Sequence, residues 1–94
     1  MDAGEVRHNE ADSRYEYLID GKVVGVIDYQ RRGDVINVLH TGVPTEYEGR
    51  GIAGAMTQGA LDDCRARGLR VIPSCSYTAA YFRRHPEYAD LRAR

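Results

Sequence analysis

The chain has 94 residues, of which 43% are hydrophobic and 29% are charged, and its formal net charge is −1 at pH 7. This length predicts one domain over residues 1–94 with a single hydrophobic core. The balanced charge gives no basic field for nucleic acid, and no apolar run approaches the roughly 20 residues that a membrane-spanning helix needs. The N-terminus is too polar for a secretory signal, so the sequence predicts a cytoplasmic protein that binds neither nucleic acid nor membrane.

The first half of the chain is typical of an antiparallel meander. Strand-like segments rich in β-branched and aromatic residues occupy residues 15–19, 22–30 and 35–43, with a weaker one at residues 6–9. Turn sequences that contain glycine join the three longer segments, namely Asp20-Gly21 and Arg32-Gly33-Asp34. Segments joined by such short turns are expected to pair side by side in opposite directions.

The second half of the chain alternates helix and strand. A helix is predicted to begin after the glycines near residue 51 and to run to about Arg67, where Gly68 ends it. Its apolar stripe recurs every four residues, at Ile52, Met56, Ala60 and Cys64. Residues 69–74 are then expected to form a strand parallel to residues 35–43, because a helix crosses between the two.

A second helix over residues 77–84 ends at His85-Pro86, and Tyr88 and Leu91 are expected to hold the polar tail over residues 87–94. Cys64 and Cys75 lie in different elements without metal-like spacing, which predicts reduced thiols and no metal site. The chain as a whole predicts an α/β (α+β) fold with a mixed, mostly antiparallel sheet flanked by helices.

The junction between the third long strand and the first helix carries the main functional signal. Gly49, Gly51, Ala53 and Gly54 are small, and the N–H groups of a first helical turn have no partner within the helix. These groups and the helix dipole favour an anion. The junction is not a Walker loop, because the Gly-Lys-Ser/Thr ending is absent. It is not a dinucleotide fingerprint either, because an antiparallel meander precedes it instead of a parallel strand unit. The junction therefore predicts a phosphate or pyrophosphate cradle of another kind.

The segment Glu48-Gly49-Arg50-Gly51-Ile52-Ala53 resembles the signature Gln/Arg-x-x-Gly-x-Gly/Ala of the GNAT superfamily of acyl-CoA-dependent N-acetyltransferases. The last two defined positions match, whereas Glu48 replaces the glutamine or arginine. Residues 71–77 and 81–88 are similar to the short YjdJ-type branch of that superfamily. The resemblance covers about residues 15–91 and lacks the two helices that build the acceptor wall in larger members.

The resemblance implies that the protein transfers an acetyl group from acetyl-CoA to an amine, either a small molecule or a protein lysine, by direct attack. Its implied cofactor-binding residues are Gly49, Arg50, Gly51, Ile52 and Ala53 for the pyrophosphate, and Leu39, Thr41 and Val43 for the pantetheine arm. The missing acceptor wall implies a cleft that is open or completed by a partner. Exposed strand edges leave a homodimer or another protein partner open.

Four side chains are candidates for the chemistry. His40 is a candidate base because imidazole titrates near neutral pH, although a polar residue on an exposed sheet face has the same pattern. Cys75 is a candidate wall beside the cofactor sulfur or a nucleophile, and the wall is favoured because no histidine or lysine adjoins it in sequence. The resemblance implies that Tyr81, or else Tyr77, protonates the departing thiolate; both also suit packing.

Two other functions remain open on the sequence alone. An acyl-CoA-binding module of the same fold would bind CoA without efficient turnover. A small interaction protein would bind no CoA and would tolerate changes at Gly51.

Overall fold

The computed structural model describes residues 4–93, so residues 1–3 and 94 of the predicted domain lie outside the described part. Its strands are β1 (Gly4–Asn9), β2 (Arg14–Ile19), β3 (Lys22–Arg32), β4 (Val35–Gly42) and β5 (Arg70–Pro73). Its helices are α1 (Ile52–Arg67) and α2 (Ser76–Arg84), with short 3-10 turns at Glu10–Asp12, Thr45–Tyr47 and Pro86–Leu91. Neither described α-helix has the length and apolar character that crossing a membrane requires.

The five strands form one sheet in the order β1-β2-β3-β4-β5. The first three pairings are antiparallel, and β4 pairs with β5 in parallel. This confirms the predicted mixed, mostly antiparallel sheet and the parallel return after α1. The strand limits differ slightly from the prediction, since β3 runs on to Arg32 and β4 ends at Gly42.

A β-bulge in β4 sets the direction of the side chains near the predicted site. Tyr29 pairs with Val38 and Asp28 pairs with His40, so Leu39 is the extra residue. Because one extra residue shifts the alternation, Val38 faces the core while His40 faces the opposite side of the sheet with Asp28. After the bulge, the Thr41 side chain therefore lies on the side of the sheet that carries the helices.

The core lies between the sheet and the two helices. The predicted stripe of α1 is buried, since Ile52, Met56, Ala60 and Cys64 are each no more than 5% exposed. The buried face is wider than the stripe, however, because Thr57 and Leu61 are buried beside it. Gly68 ends the helix as predicted, with a left-handed φ of 71°.

The C-terminal tail is fixed against α1 and β5. Tyr88 and Leu91 are buried, which confirms that they hold the tail. The Tyr88 hydroxyl donates a hydrogen bond of 2.7 Å to the Asp62 carboxylate. The Ala93 N–H donates a 2.7 Å bond to the Val71 carbonyl, so the end of the described chain runs along β5.

Candidate functional site

A groove of about 390 Å³ lies between the C-terminal end of β4 and the N-terminus of α1. Its lining comes from the strand end, the glycine turn, the first helical turn and α2. The lining residues are Thr41, Gly42, Val43, Tyr47, Glu48, Gly49, Gly51, Ile52, Ala53, Gly54 and Tyr77. Six predicted cofactor-binding residues therefore border one groove, whereas Leu39 and Arg50 lie outside its lining.

The glycine turn leaves open space in front of the helix. Gly49 and Gly51 have φ values of 81° and 77°, and a Cβ placed on either would meet nothing within 4 Å. The first helical hydrogen bond runs from the Ala55 N–H to the Gly51 carbonyl, so the preceding N–H groups have no such partner. The turn thus combines backbone donors that lack a helical partner, a positive helix end and room for an anion.

The edge of β4 beside the groove is also available for hydrogen bonding. Pairing with β5 covers only Val35 to Val38. β5 ends at Pro73, which pairs with Val38, and the Cys75 N–H bonds to the Val38 carbonyl at 2.8 Å. In the described chain, the backbone of Thr41 and Val43 therefore has no strand partner on the β5 side. An extended ligand with amide groups can pair with such an edge.

Tyr47 lines the groove, and two cationic side chains outside the lining approach its ring. Tyr47 belongs to the 3-10 turn that enters the glycine loop, and it is half-buried. The guanidinium carbon of Arg50 lies 4.8 Å from its ring centroid. The Lys22 ammonium, from the β2–β3 turn, lies 6.0 Å from the same centroid. Sequence reasoning missed Tyr47 and Lys22, because the β2–β3 turn reaches the loop only in three dimensions.

Cys75 lies beside the groove, at the N-cap of α2. Its half-buried thiol donates a 3.6 Å hydrogen bond to the Thr41 hydroxyl, and Thr41 lines the groove. Burial acts to raise the pKa of this thiol. Hydrogen bonds to the thiolate from the Thr78 and Tyr77 N–H groups and from the Thr41 hydroxyl have the larger, opposite effect, so the pKa is lowered. No histidine or lysine adjoins Cys75 in sequence, but the N-terminus of α2 stabilises the thiolate instead.

The two candidate tyrosines occupy different places. Tyr77 is 38% exposed and borders the main groove, and its hydroxyl would lie 3.7 Å from a Cβ placed on Gly54. Tyr81 is buried and stacks on His85 with ring centroids 3.8 Å apart. Burial raises the Tyr81 pKa. Both tyrosines border a second groove of about 440 Å³ between α1 and α2, but only Tyr77 borders both grooves.

His40 lies on the opposite face of the sheet. Its Nδ1 is 3.3 Å from the Asp28 carboxylate, and its ring lies against Gly42, where a Cβ would approach its Cε1 to 2.8 Å. The side chain is 63% exposed. The structure therefore separates His40 from Cys75 and Tyr77, which lie on the helical side. Asp28 is a partner that the sequence pattern did not reveal, because the bulge sets this pairing.

The described residues contain no group of three or more histidine, cysteine or acidic side chains with metal-binding geometry. Cys64 and Cys75 are both free thiols, and Cys64 is fully buried. The groove therefore offers backbone donors, a thiol and a phenol for its chemistry. The groove thus lies where β4 continues past the end of β5 and meets a glycine turn and a helix N-terminus.

Comparison with known proteins agrees with this architecture. The family model for GCN5-related N-acetyltransferases matches residues 14–91, so the chain belongs to that family. It is similar to the protein NATD1 of Gallus gallus, with 27% identity over 85 residues that cover 87% of this chain and 76% of the relative.

Two solved structures share the fold. The solution structure of a GCN5-like putative N-acetyltransferase from Staphylococcus aureus has a TM-score of 0.71 and 22% identity, covering 95% of this chain and 87% of that chain. The Escherichia coli ribosomal-protein-S18-alanine N-acetyltransferase has a TM-score of 0.63 and 17% identity, covering 82% of this chain. The match spans 53% of the larger enzyme.

Proposed function

We propose that the protein is an acetyl-CoA-dependent N-acetyltransferase that moves an acetyl group to an amine by direct attack. The observation that carries this proposal is the groove at the N-terminus of α1, which Gly49 and Gly51 line with open space in front of their backbone. Membership of the GCN5-related family supports the same reaction class. The acceptor, whether a small amine or a protein lysine, is left to experiment.

The groove suggests how acetyl-CoA would lie. The N–H groups from Gly49 to Ala53 would receive the pyrophosphate at the positive end of α1. The free backbone edge at Thr41 and Val43 would bind the amides of the pantetheine arm. The thioester would then point along the end of β4 that has no β5 partner, towards Cys75.

The reaction asks little of the protein beyond positioning. An amine nitrogen bonds to the thioester carbonyl carbon, the carbon–sulfur bond breaks, and one amine proton leaves. Tyr77 would donate a proton to the departing thiolate, because it borders the groove, whereas Tyr81 borders only the neighbouring groove. The amine would approach from the open face of the sheet, where His40, with Asp28 at its Nδ1, would accept the amine proton. Cys75 would line the thioester without bonding to it.

Calorimetric titration with acetyl-CoA and with CoA tests the cofactor assignment first. We expect saturable binding near one equivalent of each. The absence of heat at millimolar ligand would defeat the proposal for this chain. Binding without acetyl transfer to any amine in a panel of polyamines, peptides and small amines would instead identify a non-catalytic acyl-CoA-binding module.

A matched pair of glycine variants tests the cradle itself. Gly51→Ala and Gly33→Ala each force a side chain into a positive φ, of 77° and 60°, where neither Cβ has a neighbour within 4 Å. Both are expected to lower stability by about 1 kcal/mol. Only Gly51→Ala should weaken CoA binding, by tenfold or more, because its methyl group enters the anion site. Equal CoA affinity in the two folded variants would show that Gly51 is not part of the anion site.

A further inference from the structure

The mouth of the groove poses an electrostatic problem for a phosphate ligand. Glu48 lines the groove directly before the glycine turn, and Glu46 is exposed in the preceding 3-10 turn. A carboxylate close to a pyrophosphate is repulsive, and the backbone N–H donors carry only partial charges. Full positive charges near this turn would therefore strengthen the binding of a phosphate group.

The structure supplies two positive charges from separate parts of the chain. Arg50 stands between the two glycines of the turn, and Lys22, the chain's single lysine, comes from the β2–β3 turn. Both side chains are exposed, and both approach the Tyr47 ring, at 4.8 Å and 6.0 Å from its centroid. Cations within about 6 Å of an aromatic ring centroid are attracted by the ring.

Tyr47 is itself held in a defined place. It closes the 3-10 turn, with its N–H bonded to the Pro44 carbonyl at 2.9 Å, and it packs against the hydrophobic core. It also lines the groove. A half-buried ring that is fixed on both sides can orient two long cationic side chains that would otherwise sample many rotamers.

We propose that Tyr47 is a positioning residue that holds Arg50 and Lys22 beside the glycine turn, where they receive the phosphate groups of CoA. The assignment rests on the proposed function, because it requires CoA at the groove. It explains how a chain with Glu48 at the first signature position retains a phosphate site. It also gives the β2–β3 turn, which lies far from the signature in sequence, a part in ligand binding.

The test compares CoA with pantetheine, which has the same arm but no phosphate. Titration calorimetry is carried out on the wild-type chain and on Tyr47→Phe and Tyr47→Leu. We expect Tyr47→Phe to bind CoA as the wild type does, and Tyr47→Leu to lose about two- to fivefold in affinity, as expected for loss of exposed cation–π contacts. Pantetheine affinity should be the same in all three, since it carries no charge for the cations to receive.

Lys22→Gln provides a second variant at the exposed first residue of β3, next to the β2–β3 turn, where folding is not at risk. It should weaken CoA binding about two- to fivefold and leave pantetheine binding unchanged. Arg70→Gln removes one positive charge from the other end of the sheet, where Arg70 pairs with Val35, and it should change neither affinity. Raising the salt concentration to about 0.5 M should shrink the difference between wild type and Lys22→Gln.

Four outcomes overturn the assignment. Equal losses of CoA and pantetheine affinity in Tyr47→Leu would make Tyr47 an apolar wall and no more. Unchanged CoA affinity in both folded variants, Tyr47→Leu and Lys22→Gln, would show that the cations are not used. If the wild-type chain binds pantetheine and CoA equally, the phosphates are not recognised here, whereas failure to bind either ligand rejects the proposed function as well.

Discussion

The two cysteines show how local environment gives one residue type opposite chemistry. Cys64 is fully buried in α1 beside the Tyr15 hydroxyl, and burial raises its pKa to about 11. Cys75 is half-buried at the N-cap of α2, where N–H and hydroxyl donors overcome burial and lower its pKa. Thiolate character and access therefore both favour Cys75 as the reactive thiol.

This contrast predicts the order of chemical modification. Brief treatment of the native protein with N-ethylmaleimide should label Cys75 and leave Cys64 unlabelled, as measured by mass spectrometry of peptides. Cys64 should react only after unfolding. CoA at saturation should slow the labelling of Cys75, because the ligand would cover the groove beside Thr41. Equal native labelling of both thiols would contradict the assigned environments.

At the scale of elements, the sequence predicted the order and pairing of strands because turn residues and periodicity are local signals. Asp20-Gly21 and Gly33 mark the hairpins, and Gly68 marks the end of α1. The β4 bulge left no such signal, because an extra residue such as Leu39 is defined only by its partner strand. The face on which His40 lies could not therefore be read from the sequence.

The residues of the candidate site were likewise predicted where the signal is local and missed where it is not. The glycine turn and the end of β4 are contiguous in sequence, and the groove lining includes most of that predicted set. Tyr47, Lys22 and Asp28 were missed, because each acts through a partner on another element. Long-range contacts between turns and strands cannot be predicted from a single sequence.

The C-terminal 3-10 turn offers a test of how one element is held to the next. Tyr88 is 6% exposed, and its hydroxyl donates to the Asp62 carboxylate of α1. Tyr88→Phe keeps the ring but removes this bond, so we expect a loss of about 1 kcal/mol in the free energy of unfolding, measured with urea. Tyr77→Phe, at a 38% exposed position, should leave stability unchanged. A Tyr88→Phe variant as stable as the wild type would mean that water replaces the bond at no cost.

At the scale of the whole molecule, the two faces of the sheet are stabilised differently. One face packs its apolar residues against α1 and α2. On the other face, Glu16 is 1% exposed and accepts hydrogen bonds from Arg7, Asn9 and Arg14. The bonds from Arg7 and Asn9 add side-chain links between β1 and β2 to the backbone pairing of the two strands.

Glu16 therefore makes the stability of the fold depend on acid. Its bonds from Arg7, Asn9 and Arg14 lower its pKa from 4.5 to about 2. A carboxylate with a depressed pKa in the folded state stabilises it fully above the unfolded pKa and loses that contribution as the pH falls towards the folded pKa. We expect the free energy of unfolding to fall between about pH 4.5 and pH 2, with at most about 3 kcal/mol of that loss due to Glu16.

Urea unfolding across this pH range, on the wild type, Glu16→Gln and Glu5→Gln, measures that contribution. Glu16→Gln removes the charge that its three donors require, so this variant should be less stable near neutral pH and should depend less on pH below 4.5. Glu5 is exposed on the same edge strand, and Glu5→Gln should follow the wild-type curve. If the stability of Glu16→Gln kept the full acid dependence of the wild type, other carboxylates would be responsible for it. The position of β1 would then depend on the packing of Val6 against the core rather than on the charges around Glu16.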